Sequence, residues 1–154
     1  MRIAIGCDDA GEPLLKVVKE LLKEHPNIQI EDFSAPTSDR EEYYPDVAER
    51  VASAVATGQF ERGILVCGTG IGMAITANKV PGIRAAQCHD TYSAERARKS
   101  NNAQILTMGA RVIGPELGKS IVNIWLQSDF DDNSSSAPKV RRMIEIDDKY
   151  SGRK

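Results

Sequence analysis

Short apolar runs rich in β-branched residues alternate along this chain with longer segments whose apolar positions recur every three or four residues. RIAIGC (Arg2–Cys7) predicts a buried first strand, and Leu14, Leu15, Val18, Leu21 and Leu22 put one apolar face on the helix after it. Pro13 falls in the first turn, where proline is tolerated. IQIEDF (28–33) predicts the second strand; a polar loop then reaches Tyr44 and a helix carrying Val47, Val51, Ala52 and Val55 on one side. GILV (63–66) predicts the third strand, and the glycine cluster behind it opens a short helix over 73–79. IRAAQC (83–88) and AQILTMG (103–109) predict the fourth and fifth strands, with a helix over 93–99 between them. A helix from Pro115 carries Leu117, Ile121, Ile124 and Trp125 inward. DFDDNSSSAP reads as a solvated linker to a last charged helix, roughly 139–150.

This alternation predicts βαβ units around a parallel sheet in one domain, residues 1–154, with no internal repeat. Right-handed crossovers place helices on both faces, and a site belongs beyond the carboxyl ends of the strands, near the topological switch point. Three polar clusters fall there: Cys7-Asp8-Asp9, Cys67 to Gly72, and His89-Asp90.

With 20 basic and 22 acidic residues the chain carries a net charge of −2, which argues against nucleic acid or a membrane surface as partner. No apolar run is long enough to span a bilayer, and the opening MRIAIGCDDAG lacks the apolar core of a signal peptide, so a cytoplasmic protein is expected. Cys7, Cys67 and Cys88 are odd in number and show no CxxC spacing, which predicts reduced thiols. His25 and His89 are well apart in sequence, so neither a histidine metal site nor a Ser-His-Asp triad has much material, and chemistry without metal or cofactor is expected.

The loop CGTGIG carries the strongest chemical signal. Gly68, Gly70 and Gly72 at alternate positions let the backbone turn tightly and direct amide N–H groups at one spot, a nest that suits a phosphate or an enediolate oxygen. A thiol at the edge of that region has its thiolate favoured, which makes Cys67 a candidate base; the competing reading is a small buried hydrophobe at a strand end, which is how Cys7 and Cys88 are read. Nucleotide binding fits poorly: the pattern is GxGxG with Met73 where GxGxxG needs its last glycine, and there is no Walker lysine. A non-catalytic sugar-phosphate or nucleotide sensor remains as the alternative to an enzyme.

IAIGCDDAG, YPDVAERVASAV, GILVCGTGIGMAITANKVPGIRAA and TYSAERARKSNNAQILTMGARVIG together resemble the family of ribose-5-phosphate isomerase B and the galactose-6-phosphate isomerase subunits, over nearly the whole chain. The resemblance implies a Rossmann-like three-layer αβα sandwich with a five-stranded parallel sheet and an extra C-terminal helix. It also implies a homodimer or homotetramer with active sites across the interface, residues 137–150 packing on a partner subunit, and no cofactor. By position, Cys67 matches the base that moves a proton between C1 and C2 of an open-chain sugar, and Gly68, Thr69, Gly70 and Gly72 match the loop around the enediolate, with Thr69 as a catalytic partner. Asp8, Asp9, Tyr44 and Asn101 fall at substrate-contact positions, and Arg111, Lys139 and Arg142 on the phosphate side.

Members acting on pentose 5-phosphates usually carry histidine where this chain has Asp9, and a ring-opening histidine where it has Ser100. The usual Arg-His and Arg phosphate motif is replaced by SSSAPK, with Lys139 standing in for an arginine. An aldotetrose 4-phosphate has the oxygen that would close a furanose esterified, so it needs no ring opener. Similarity of ILVCGTGIG, KVPGIRAA, HDTYSAERA and SNNAQI to the subgroup interconverting D-erythrulose 4-phosphate and D-erythrose 4-phosphate points the same way. Ribose 5-phosphate is the second expectation, with His89 or Ser100 taking the missing role.

Overall fold

The computed structural model describes residues 1–152. Its five parallel strands are β1 Arg2–Cys7, β2 Gln29–Asp32, β3 Arg62–Cys67, β4 Ala85–Gln87 and β5 Ile105–Gly109, in the spatial order β2-β1-β3-β5-β4. Helices α1 Glu12–Lys23, α2 Tyr44–Ala56, α3 Ile71–Ala77, α4 Thr91–Lys99 and α5 Pro115–Leu126 connect or follow the strands, and α6 Ala137–Ser151 comes last.

Side chains alternate across the sheet with period two. Ile3, Ile5, Ile64, Val66, Leu106 and Met108 pack with α1, α4 and α5, whereas Ala4, Leu65, Cys67 and Ile105 pack with α2 and α3. Both faces are therefore covered, which is why β1, β3 and β5 read as unbroken apolar runs rather than alternating ones. Each of the Ile, Leu, Val and Met side chains among them, taken fully from water, contributes about 1.5–3 kcal/mol.

β3 begins one residue before its apolar run. Arg62 is only 3% exposed, because its guanidinium closes the carboxyl end of α5. Nη1 donates to the carbonyls of Trp125 (2.7 Å) and Leu126 (3.2 Å), and Nη2 donates to Ser128 O (3.0 Å) and Asp129 Oδ1 (2.6 Å). A cation at a helix C-terminus satisfies carbonyls that have no partner within the helix.

The remaining differences from expectation have local causes. α3 starts at Ile71 rather than 73 because Gly70, at φ +76°, turns the chain straight into the helix. α4 starts at Thr91 because Asp90 Oδ1 accepts the Ser93 N–H at 2.6 Å as an N-cap. β4 is shorter than 83–88, since the Arg84 N–H bonds to the side chain of Gln104 (2.8 Å) instead of a ladder carbonyl. Leu117 does not face inward: it is 41% exposed, because Gly118, Ile121, Val122 and Trp125 form the buried face, with Gly118 against the Leu14 side chain.

Candidate active site

β1 and β3 are neighbours whose connections leave in opposite directions, so the switch point lies between their carboxyl ends. The register pairs Cys7 with Val66 and Cys67 with Gly109. Asp8 therefore follows β1 beside Cys67 at the end of β3, and the end of β5 flanks Cys67 on its other side.

Cys67 is 5% exposed, and its sulfur accepts the Gly70 N–H at 3.1 Å. The loop thus closes on its own thiol. The loop amides are not all directed outward as a bare anion nest: the Ile71 N–H donates to Thr69 Oγ1 (3.3 Å). The other two thiols are ordinary core groups. Burial pushes Cys88 up to about 12, and burial likewise raises Cys7.

A cleft of about 900 Å³ opens beside the loop, lined among others by Asp8, Asp9, Ser34, Tyr44 and Arg111. Asp8 Oδ1 accepts the Gly11 N–H at 2.9 Å, which orients the carboxylate at the turn into α1. Arg111 donates its backbone N–H to Gly68 O (3.0 Å), and its side chain lies along Gly68. Tyr44, in the first turn of α2, lays its ring against Gly72, where a Cβ would stand 2.6 Å from the hydroxyl oxygen. It is both a packing residue and, at 41% exposure, a group open to the cleft. The loop leading to it is held by Arg50, which donates to Phe33 O (2.9 Å) and pairs with Glu42. The Thr37 amide and Arg50 hold the Glu42 carboxyl at about 2, so that pair persists across ordinary pH.

Asn101, Lys139 and Arg142 are not brought to this cleft. Asn101 lies before β5 next to Asn102, whose carbonyl accepts from Arg84 Nε (3.1 Å) at the turn into β4, the amino end of the sheet. α6 borders the turn into β4, where Asp147 accepts the Gly82 N–H at 2.6 Å, so Lys139 and Arg142 also belong to the amino end of the sheet. Arg142 pairs there with Glu145 on an exposed face, and Ser100 Oγ accepts from Arg96 Nε at 2.8 Å.

Two supports of the loop carried no motif. Thr107 Oγ1 donates to Gly70 O (2.9 Å) and Gln87 Nε2 donates to Thr69 O (2.6 Å). Thr107 is marked in the sequence as the one hydroxyl in the otherwise apolar strand ILTMG.

Residues 3–143 match the family model described as Ribose/Galactose Isomerase. The chain is 56% identical over 149 residues to "Ribose-5-P isomerase B" of Listeria innocua serovar 6a, covering 97% of this chain and 99% of that one. It is 52% identical over 143 residues to the "D-erythrulose-4-phosphate isomerase" of Pectobacterium atrosepticum, covering 93% of each. Among solved structures, ribose-5-phosphate isomerase B of Clostridium thermocellum superposes with a TM-score of 0.88 at 41% identity, over 97% of this chain and 99% of that one.

Proposed function

The chain belongs to the ribose/galactose isomerase family of sugar-phosphate aldose–ketose isomerases, and from that premise we propose that it interconverts D-erythrulose 4-phosphate and D-erythrose 4-phosphate with Cys67 as the base. The observation that carries the base assignment is the Gly70 amide donating to the Cys67 sulfur beside the cleft of Asp8, Tyr44 and Arg111. As thiolate, Cys67 takes a proton from C1 of the ketose, leaving a cis-enediolate, and returns it to C2. A proton passes from the C1 oxygen to the C2 oxygen, a step assigned to the Thr69 hydroxyl. Loop amides between Gly68 and Gly72, other than those of Gly70 and Ile71, stabilise the enediolate oxygens, Asp8, Asp9 and Tyr44 hold hydroxyls, and Arg111 draws the phosphate.

The tetrose is favoured by the side chains where pentose enzymes of the family carry imidazoles. Asp9 is an exposed carboxylate, and the Ser100 hydroxyl is engaged by Arg96. His89 has its Nε2 engaged by the Gly109 N–H (2.9 Å). The relatives described above carry one name of each kind, so the discriminating measurement is turnover of D-erythrulose 4-phosphate and ribose 5-phosphate side by side. We expect kcat/KM to favour the tetrose; a preference for the pentose overturns this substrate.

The distribution of Asn101, Lys139 and Arg142 at one end of the sheet and Cys67 at the other supports a homodimer or homotetramer whose sites combine both ends. The 137–150 helix then packs on the partner, and the exposed Arg142–Glu145 pair is weak enough for Arg142 to exchange to a phosphate. Refolding Cys67→Ala together with Asn101→Ala should regenerate about one quarter of wild-type activity, since half the mixed dimers are hybrid and each has one intact site. Mixtures no more active than their parents would sink the shared site. The three cysteines are free thiols, in keeping with work in the reducing cytoplasm.

A further inference from the structure

The third polar cluster does something the family pattern does not assign. His89 follows the end of β4, yet its ring turns to the neighbouring strand, where Nε2 accepts the N–H of Gly109 at 2.9 Å. The preceding Cys88 N–H still bonds to Thr107 O (3.1 Å), so the imidazole stands where a longer β4 would offer its next carbonyl. A ring nitrogen that accepts an amide hydrogen carries no proton, which fixes His89 as the neutral ring protonated at Nδ1.

Gly109 is the residue paired with Cys67 across the sheet. It lies directly under the loop, since a Cβ built on it would stand 2.7 Å from both Cα and the carbonyl carbon of Thr69. The same strand end supplies the Ala110 N–H to Cys67 O (2.9 Å) and the Arg111 N–H to Gly68 O (3.0 Å). The end of β5 is therefore the bed on which the Cys67 loop rests, and His89 is the side chain that fixes it beyond the end of the ladder.

We infer that His89 is a positioning residue of the isomerase: as a neutral acceptor it holds the Gly109 amide, and through it the Thr69–Gly70 backbone beside the Cys67 sulfur, and protonation of the ring releases both. The inference rests on the reading of Cys67 as the base. Burial holds the imidazole below its ordinary value against the opposing pull of Asp90, so the acceptor form is the one present at neutral pH. Asp90 is the carboxylate on its own turn. β5 itself brings no charge; Arg111, two residues beyond it, lies along Gly68; α5 opens with Glu116, paired with Lys119; Thr69 and Gly70 bring no charge.

The test uses the full chain with His89→Ala and His89→Gln, whose Oε1 can accept the same amide without titrating. At pH 7.5, His89→Ala should lower kcat by about 10- to 100-fold, the scale of a small misplacement of a catalytic group, with KM nearly unchanged. His89→Gln should restore most of kcat and lose the acid decline expected of wild type once the pH falls through the lowered imidazole value. Wild-type kcat in His89→Ala, or an unaltered acid limb in His89→Gln, overturns the role. Should His89→Ala not fold, nitrogen-15 NMR of wild type decides: the Gly109 amide must shift with the ring titration, and an amide indifferent to it overturns the inference. A wild type inert on both sugar phosphates is the separate result that defeats the Cys67 reading itself.

Discussion

Cys67→Ala is expected to lower turnover by about 10²–10⁴-fold or more while the folded protein survives. The sulfur is the only part of this side chain that can carry a proton between two carbons, and alanine retains the apolar Cβ that packs with α2 and α3. Truncating so small a group costs on the order of 1 kcal/mol of stability, against roughly 3–5 kcal/mol of transition-state stabilisation for the expected rate loss. The two effects separate in one experiment, with kcat from the isomerase assay and folding from thermal denaturation. A variant that turns over at nearly the wild-type rate would return Cys67 to the class of buried structural thiols, beside Cys7 and Cys88.

Gly70→Ala should come next in effect. At φ +76° a side chain is strained, and a Cβ would stand 2.8 Å from the carbonyl carbon of Met108. The strain is about 1–2 kcal/mol, and the clash must be relieved by moving either β5 or the loop. Either movement takes the Gly70 N–H off the Cys67 sulfur, and loss of one well-placed donor at a reacting centre is worth about 10²–10³ in kcat. Gly58→Ala is the matched control, because Gly58 has φ +77° but nothing within 4 Å of its would-be Cβ. It should lower the melting temperature by about 2–8 °C through the same strain and leave kcat unchanged. Equal kcat losses in both would mean that backbone strain, and not the amide on the sulfur, explains Gly70.

The element pattern was readable because each strand is buried on both faces and each helix on one, so hydrophobic spacing reports them directly. Boundaries were less readable wherever a polar side chain replaces a backbone partner. Asp90 advanced the start of α4, Gln104 took the place of a ladder bond at Arg84, and Arg62 extended β3 by satisfying the end of α5. Leu117 misled because helical spacing alone fits it to the inner face, whereas the close approach of Gly118 to Leu14 rotates α5 away from that solution.

For the site, local chemistry identified the Cys67 loop, since the glycines and the thiol that make it are adjacent in sequence and their mutual geometry follows from short-range backbone constraints. Asp8, Tyr44 and Arg111 were assigned by resemblance, and the fold brings them to one cleft, with Tyr44 and Arg111 also touching that loop. The position of Asn101, Lys139 and Arg142 at the opposite end of the sheet was a matter of tertiary structure alone, because a parallel strand separates what sequence order places beside it. So was the partner of His89. No spacing rule relates His89 to Gly109; they meet only because β5 inserts between β3 and β4, and strand order is set by packing of whole helices rather than by any local signal. The chain by itself thus determined which groups are candidates for the chemistry, and the sheet decided which of them stand together in a single copy.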